Sequence, residues 1–245
     1  MNRKQQVRAA FSAAARFYEE AARAQAISAD FLAELVAGLP APQAPKVLEF
    51  GCGTGLLTRR LYPRLGGEWL VSDLSPDMLR AAESALPGPR YQIVDAENPD
   101  LDESFDLIVS NMAAQWFADL PEAVARLASR LDPAGHLVFS TLAAGSFRQW
   151  RDAHQVLGLE CGVPAFPTVD ALKNTLPQAR IVEQTFDLDY ADGRAFAAEL
   201  KHIGAGTPTP GHVPLSVGQL RRVFQGLGSP CAMTYHVAHV IISKE

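Results

Sequence analysis

The stretch Val47-Leu48-Glu49-Phe50-Gly51-Cys52-Gly53-Thr54-Gly55 carries an apolar strand into a turn built on three alternating glycines. That is the pattern of a strand-to-helix turn holding a nucleoside ligand. Glycine turns tightly there with positive φ and lets the main chain approach a ligand with no Cβ in the way. A dinucleotide fingerprint, G-x-G-x-x-G, would put its third glycine at position 56, where this chain has Leu56. The spacing is G-x-G-x-G instead, and Glu49 lies two residues before Gly51. A carboxylate at that place repels a pyrophosphate and attracts a cation, which disfavours a nicotinamide oxidoreductase. An ordinary glycine-rich turn without a ligand is the competing reading.

Working outward, Glu68-Trp69-Leu70-Val71-Ser72-Asp73 is a second short apolar run. It ends in an acid about 20 residues past the first glycines, where a ribose-binding carboxylate is expected. As a helix N-cap, Ser75 before Pro76 competes better than Asp73. Tyr91-Gln92-Ile93-Val94 leads into Asp95-Ala96-Glu97, and Phe105-Asp106-Leu107-Ile108-Val109-Ser110 into Asn111. Polar residues thus recur at strand C-termini, where open α/β sheets bind ligands. Asp95 is a candidate acceptor for an adenine amino group, the Ala96 N–H a donor to the ring, and Asn111 a lining of the methionine end. Either side chain also serves by simply ending its strand.

In order, "VLEFGCGTG", "SDLSPDML", "VDAENPDL", "FDLIVSNMAAQW" and "LDPAGHLVFST" resemble a class I S-adenosylmethionine-dependent methyltransferase over about residues 46–141. That donor carries a sulfonium and an α-ammonium, which suits Glu49. The segments "FSAAARFYEEAARAQ", "SNMAAQW", "STLAAGSF", "LKHIGAG" and "MTYHVAHVIISKE" extend the likeness over nearly the whole chain. They narrow it to the biotin-pathway malonyl-[acyl-carrier protein] O-methyltransferase (BioC) family. One departure is "LDPAGHL", where Ala134 stands in a turn that more often reads Pro-Gly-Gly. The resemblance implies a doubly wound α/β fold with a mostly parallel seven-stranded sheet and a small helical cap. The cofactor-binding residues it implies are Glu49, Gly51, Gly53, Gly55, Asp73, Leu74, Met78, Asp95, Ala96, Asn111, Gln115 and Trp116.

With 245 residues, 48% of them hydrophobic, the chain can bury one substantial core. The formal net charge of −5 argues against nonspecific nucleic-acid binding, which needs a basic footprint. Cys52, Cys161 and Cys231 are odd in number and lack paired metal spacing, so neither a disulfide framework nor a metal is expected. No apolar run approaches a membrane span, and no continuous apolar leader opens the chain. Arg3, Lys4, Arg8 and Arg16 precede the first acid, Glu19, so an organelle-targeting helix competes with a lid helix. The lid is preferred and a cytoplasmic location expected.

One domain is expected: lid helices over 1–40, a cofactor-binding core over 46–141, a helical cap over 142–215, and a closing helix and strand over 216–245. Two helices are predicted across 5–37. Strands follow near 46–50, 69–73, 91–94, 105–110, 136–141, 180–187 and 233–243, the last antiparallel by resemblance. Core helices fall near 55–65, 76–86 and 119–131. Such alternation implies right-handed crossovers and a parallel sheet.

The acceptor implied by resemblance is the free carboxylate of malonyl-[acyl-carrier protein]. A carboxylate is ionised at neutral pH, its pKa being about 4, so no general base is required. Phe11, Tyr18 and Gln25 recur every seven residues and share a helical face. Tyr18 is the candidate donor to the substrate carboxylate, with plain core packing as the alternative. By resemblance, Lys201 and His202 face the substrate, although cations at a helix C-terminus are common for dipole reasons alone. Trp116 is a candidate pocket wall, and His236 a packing histidine. Arg148, Arg151, Lys173, Lys201, Arg221 and Arg222 supply a local basic patch for an acidic carrier. A different acceptor, or a cofactor-binding subunit without turnover, remain the other readings.

Overall fold

The computed structural model describes residues 2–245; Met1, the first residue of the expected lid segment, lies outside them. Three helices open the described chain: α1 (Arg3–Ala14), α2 (Tyr18–Ala21) and α3 (Arg23–Ala37). Two helices were expected across 5–37. The difference arises where the chain leaves helical geometry at Ala22, with ψ of 41°, which isolates the single turn of α2 around Tyr18.

The alternating core follows: β1 (Lys46–Phe50), α4 (Thr58–Leu65), β2 (Glu68–Asp73), α5 (Pro76–Ala85), β3 (Arg90–Ile93), β4 (Phe105–Ser110), α6 (Leu120–Ser129) and β5 (Leu131–Leu142). Residues 55–57 belong to the glycine turn rather than to α4. Ser75 caps α5 by accepting from the Met78 N–H at 3.3 Å, with Pro76 in the first turn. The strand expected at 136–141 starts earlier, at Leu131, because residues 132–135 loop out and shift its register against β4 between Phe105 and Leu107. Ala134 sits in that loop with φ +62°.

The cap is built from α7 (Arg148–Val156), α8 (Val169–Thr175), α9 (Gly193–His202) and α10 (Val217–Leu227). Interleaved with these are the last strands, β6 (Arg180–Tyr190) and β7 (Cys231–Ser243). The seven strands order as β3-β2-β1-β4-β5-β7-β6. β7 runs antiparallel to both neighbours and the first five strands pair in parallel. The sheet is therefore the doubly wound, mostly parallel one expected.

Alternation along the strands feeds two core layers. Leu48, Phe50, Leu70, Ile108 and Phe139 pack on one face with Val124 and Leu127 of α6. Val47, Val71, Leu107, Val109 and Val138 pack on the other with Leu32 of α3 and Leu61 of α4. A third cluster joins Phe147, Trp150, Phe196 and Tyr235 beneath the cap. The order reverses between β1 and β4, so their C-terminal ends diverge and open a crevice, the ligand position in such sheets. Among the described residues no helix is long and apolar enough to cross a membrane.

Candidate active site

Two cavities meet at that crevice. The first, about 130 Å³, is lined from the C-terminal ends of β1, β2, β3 and β4 and roofed by α1. The second, about 410 Å³, lies between the sheet and the cap. Phe11, Tyr18, Gln25, Met112 and Trp116 line both. Phe11, Tyr18 and Gln25 do not share one helix face as their seven-residue spacing predicts; they stand on α1, α2 and α3, which the breaks before Tyr18 and at Ala22 separate, and meet at this shared wall.

Glu49 dominates the first cavity. It is 1% exposed, and its Oε2 has no hydrogen-bond partner. Burial raises its carboxyl to about pKa 8, only partly offset by Thr58 beside it. Gly51 has φ +60°, and an added Cβ would stand 2.5 Å from the Ala113 Cβ, so only glycine keeps the wall open. The Gly53 N–H donates to Asp73 Oδ2 at 2.9 Å and the Ser75 N–H to Oδ1 at 2.7 Å. Burial still pushes the Asp73 carboxyl up to about 6, against those two amides.

Tyr18 packs its ring over Gly53, and burial, with Asp73 adding, drives its phenol well above the ordinary range. It is a neutral hydroxyl, suited to donate and not to act as a base. Trp116 meets Phe11 edge-on at 5.5 Å, closing the shared wall from the other side.

A methyltransferase-domain family profile matches residues 48–139. The chain is 45% identical over 233 residues to the biotin biosynthesis bifunctional protein BioCD of Bordetella avium, covering 94% of this chain and 50% of that protein. It is 37% identical over 233 residues to the malonyl-[acyl-carrier protein] O-methyltransferase of Magnetococcus marinus, covering 91% and 86%. The corresponding enzyme of Enterobacter lignolyticus is 34% identical, with 99% and 98% covered. The chain belongs to the malonyl-[acyl-carrier protein] O-methyltransferase family. It spans half the length of the bifunctional relative and nearly all of the monofunctional ones. The fold is shared with the YcgJ protein of Bacillus subtilis at TM-score 0.61 and 17% identity, over 87% of this chain and 97% of that one. An S-adenosylmethionine-dependent methyltransferase of Clostridium acetobutylicum aligns at TM-score 0.51 and 17% identity, over 86% and 89%.

The cofactor implied for this family member fits the first cavity on the structure's own terms. A buried carboxylate oxygen without a partner calls for a cation, and Gly51 leaves the space a Cβ would fill. Leu74, Asp95 and Ala96, at strand ends, and Met78, in the first turn of α5, line the same cavity. Asp95 is already engaged: Lys4 Nζ holds its Oδ1 at 3.0 Å and Oδ2 at 2.8 Å, and Glu97 Oε2 at 2.5 Å.

One expectation is narrowed and three need correction. Asn111 borders the first cavity, but its amide is spent on the protein: Nδ2 donates to the Gln25 carbonyl, and Oδ1 accepts from Ser28 and Ser140. Gly55 does not line that cavity; its φ of +85° and its contacts with Ala82 and Thr58 set the turn against α5. Gln115 lines the second cavity, its Nε2 turned back onto the Met112 carbonyl. Lys201 and His202 are exposed and line neither of these two cavities, because α9 turns Ala197, Leu200 and Ile203 inward instead.

The basic patch is also revised. Arg151 donates to the carbonyls of Ser146 and Pro164 and stands over the Phe166 ring, a structural use of its charge. Sequence reasoning missed Lys4 and His154. Lys4 pairs with Asp95, 91 residues away, and with Glu97, which nothing local signals. His154 lies four residues after Trp150 on α7, a helical spacing that was available.

Proposed function

We propose that the chain transfers the methyl group of S-adenosylmethionine to the free carboxylate of a malonyl group carried as a thioester on an acyl carrier protein. The methyl ester formed would then enter biotin synthesis, the process named for the Bordetella relative. The observation that carries this reading is the shared wall between an acid-lined cavity and a larger, mainly apolar one.

When bound, the cofactor supplies an electrophilic methyl group on a positively charged sulfur. Glu49 and Asp73 face the first cavity, and we assign Glu49 to the cationic methionine end and Asp73 to the ribose hydroxyls. Leu74, Met78 and Ala96 enclose the base, and Gly51 and Gly53 let the main chain approach. Lys4, tied to Asp95 and Glu97, straps α1 across this cavity.

The acceptor carboxylate needs no base, and the buried groups fit that requirement. Tyr18 stays protonated and can donate to a carboxylate oxygen. His236 is engaged outside the cavities by Glu183 at 2.9 Å. Trp116, Phe11 and Met112 keep water from the shared wall. Alignment in a dry site is the catalytic contribution, worth roughly 7–11 kcal/mol in favourable intramolecular cases.

The direct test incubates the protein with methyl-labelled S-adenosylmethionine and malonyl-carrier protein. Label should enter the carrier fraction and be released by mild base, as an ester is. Absence of transfer to any malonyl thioester sinks the proposal. Retained cofactor binding with no acceptor at all would favour a subunit without turnover.

A further inference from the structure

The second cavity is mainly apolar, which makes each polar atom on its wall informative. His154 is such a group, on α7, and only 3% exposed. Its Nδ1 stands 2.7 Å from the Trp150 carbonyl oxygen. A carbonyl only accepts, so Nδ1 carries the proton and donates. Burial holds the imidazole below its ordinary pKa, and the neighbouring His212 pushes the same way. The ring is neutral, with Nε2 as a bare acceptor. Nε2 meets no hydrogen-bond partner among the described residues, yet it is not among the atoms sealed from the cavity.

That acceptor has to be matched by a donor. The malonyl end provides none, since its carboxylate and its thioester carbonyl both accept. His154 lines the second cavity and is not among the five side chains shared with the first. Further from the acyl group, the arm that carries a thioester on a carrier protein has secondary amides and a hydroxyl, which donate. We infer that His154 Nε2 anchors this arm, accepting a hydrogen bond from an amide N–H or hydroxyl as the arm lies in the second cavity. The inference rests on the malonyl-thioester reading above. It makes His154 a binding residue that fixes how deep the acyl end reaches toward the shared wall.

The experiment compares two malonyl thioesters, of pantetheine, which has amides and hydroxyls, and of ethanethiol, which has neither. His154→Phe keeps an aromatic ring against Trp150, where the present rings lie 4.8 Å apart. It should lower kcat/KM for malonyl-pantetheine by about fivefold to tenfold, the usual effect of one lost hydrogen bond, through KM. The ethanethiol ester should be handled as by the unaltered protein. His154→Gln, which returns an acceptor near the Nε2 position, should recover most of the loss. Thermal melting and S-adenosylhomocysteine binding confirm that each variant keeps the fold and the first cavity. An equal loss on both thioesters would overturn the inference, since His154 would then serve the malonyl end or merely hold the wall. No loss on either overturns it as well. Failure of the unaltered protein on both thioesters and on malonyl-carrier protein instead removes the underlying functional reading, and the anchor with it.

Discussion

At Glu49 the needs of the fold and of the ligand oppose each other. Its carboxyl titrates near 4.5 in an unfolded chain and at about 8 when buried here. Between those values the folded protein holds a proton that the unfolded chain has released. Stability therefore falls as pH rises through the window, with a slope of up to about 1.4 kcal/mol per pH unit. Glu49→Gln removes that slope. Its ligand-free melting temperature should match the unaltered protein near the acid end of the window and exceed it at pH 8, by about 2–4 °C for each kcal/mol regained. Asp73, raised to about 6, titrates in both proteins, so the slopes are compared above that pH. Affinity for S-adenosylmethionine, measured by calorimetry, should fall about tenfold or more, because a charged hydrogen-bond partner is lost. A variant that is no more stable at pH 8 and binds the cofactor unchanged would show that Glu49 is an ordinary core acid. Asp73→Asn isolates the other acid: affinity should drop by about tenfold to a hundredfold, the range for a charged hydrogen bond, with a smaller gain in melting temperature at pH 8 than for Glu49→Gln, because its carboxyl is raised less and Asn cannot accept from both the Gly53 and Ser75 amides.

At the scale of elements, the loop inside β5 shows how a single residue departs from what its backbone prefers. Ala134 holds φ +62°, a left-handed conformation costing an L-residue about 1–2 kcal/mol, whereas glycine adopts it freely. Ala134→Gly should stabilise the protein by about 0.5–1 kcal/mol after glycine's larger unfolded-state entropy is subtracted. Denaturant midpoints would read this directly, and an unchanged or lower midpoint would mean the loop relaxes around Ala134. The neighbouring Gly135 must stay, since a Cβ there would approach the Asp132 and Asp106 carbonyl oxygens at 2.9 and 3.0 Å. This turn was legible because its signal is local, as were the glycines after β1, Asp73 at the end of β2 and Ser75 before α5. Lys201 and His202 were misplaced for the complementary reason. Their assignment came from resemblance of the segment as a whole, whereas the 4- and 3-residue steps through Phe196, Leu200 and Ile203 show which side of the helix turns inward. Asn111 was placed at the right strand end, but its hydrogen bonds to Ser28 and Ser140 depend on α3 and β5 packing beside it. No local pattern encodes such a meeting.

For the whole molecule, topology divides the labour: the first four strands present the acids and glycines of one cavity, while β7 and the cap helices α7, α9 and α10 wall the other. An acidic carrier approaching a chain of net charge −5 is repelled at long range, so productive docking requires a local basic face. α7 and α10 pack against each other in the cap. They leave Arg148, Arg221 and Arg222 exposed, and Leu220, which precedes Arg221 in the chain, lines the second cavity. Arg151 cannot serve as a free docking charge, because its guanidinium is bonded to backbone carbonyls. Reversal of Arg221 and Arg222 together, R221E with R222E, should therefore raise KM for malonyl-carrier protein by about tenfold at low ionic strength, two rim charge contacts at up to about 1 kcal/mol each. The penalty should shrink as salt shortens the Debye length below about 8 Å. KM for malonyl-pantetheine should not move, since that substrate brings no protein surface. Equal KM values for the carrier substrate at every salt concentration would place the docking face elsewhere, with exposed Lys173 and Lys201 as the next charges to reverse. A loss shared by both substrates would mean that α10 had shifted and the cavity with it, which melting and cofactor titration on the same variant would reveal.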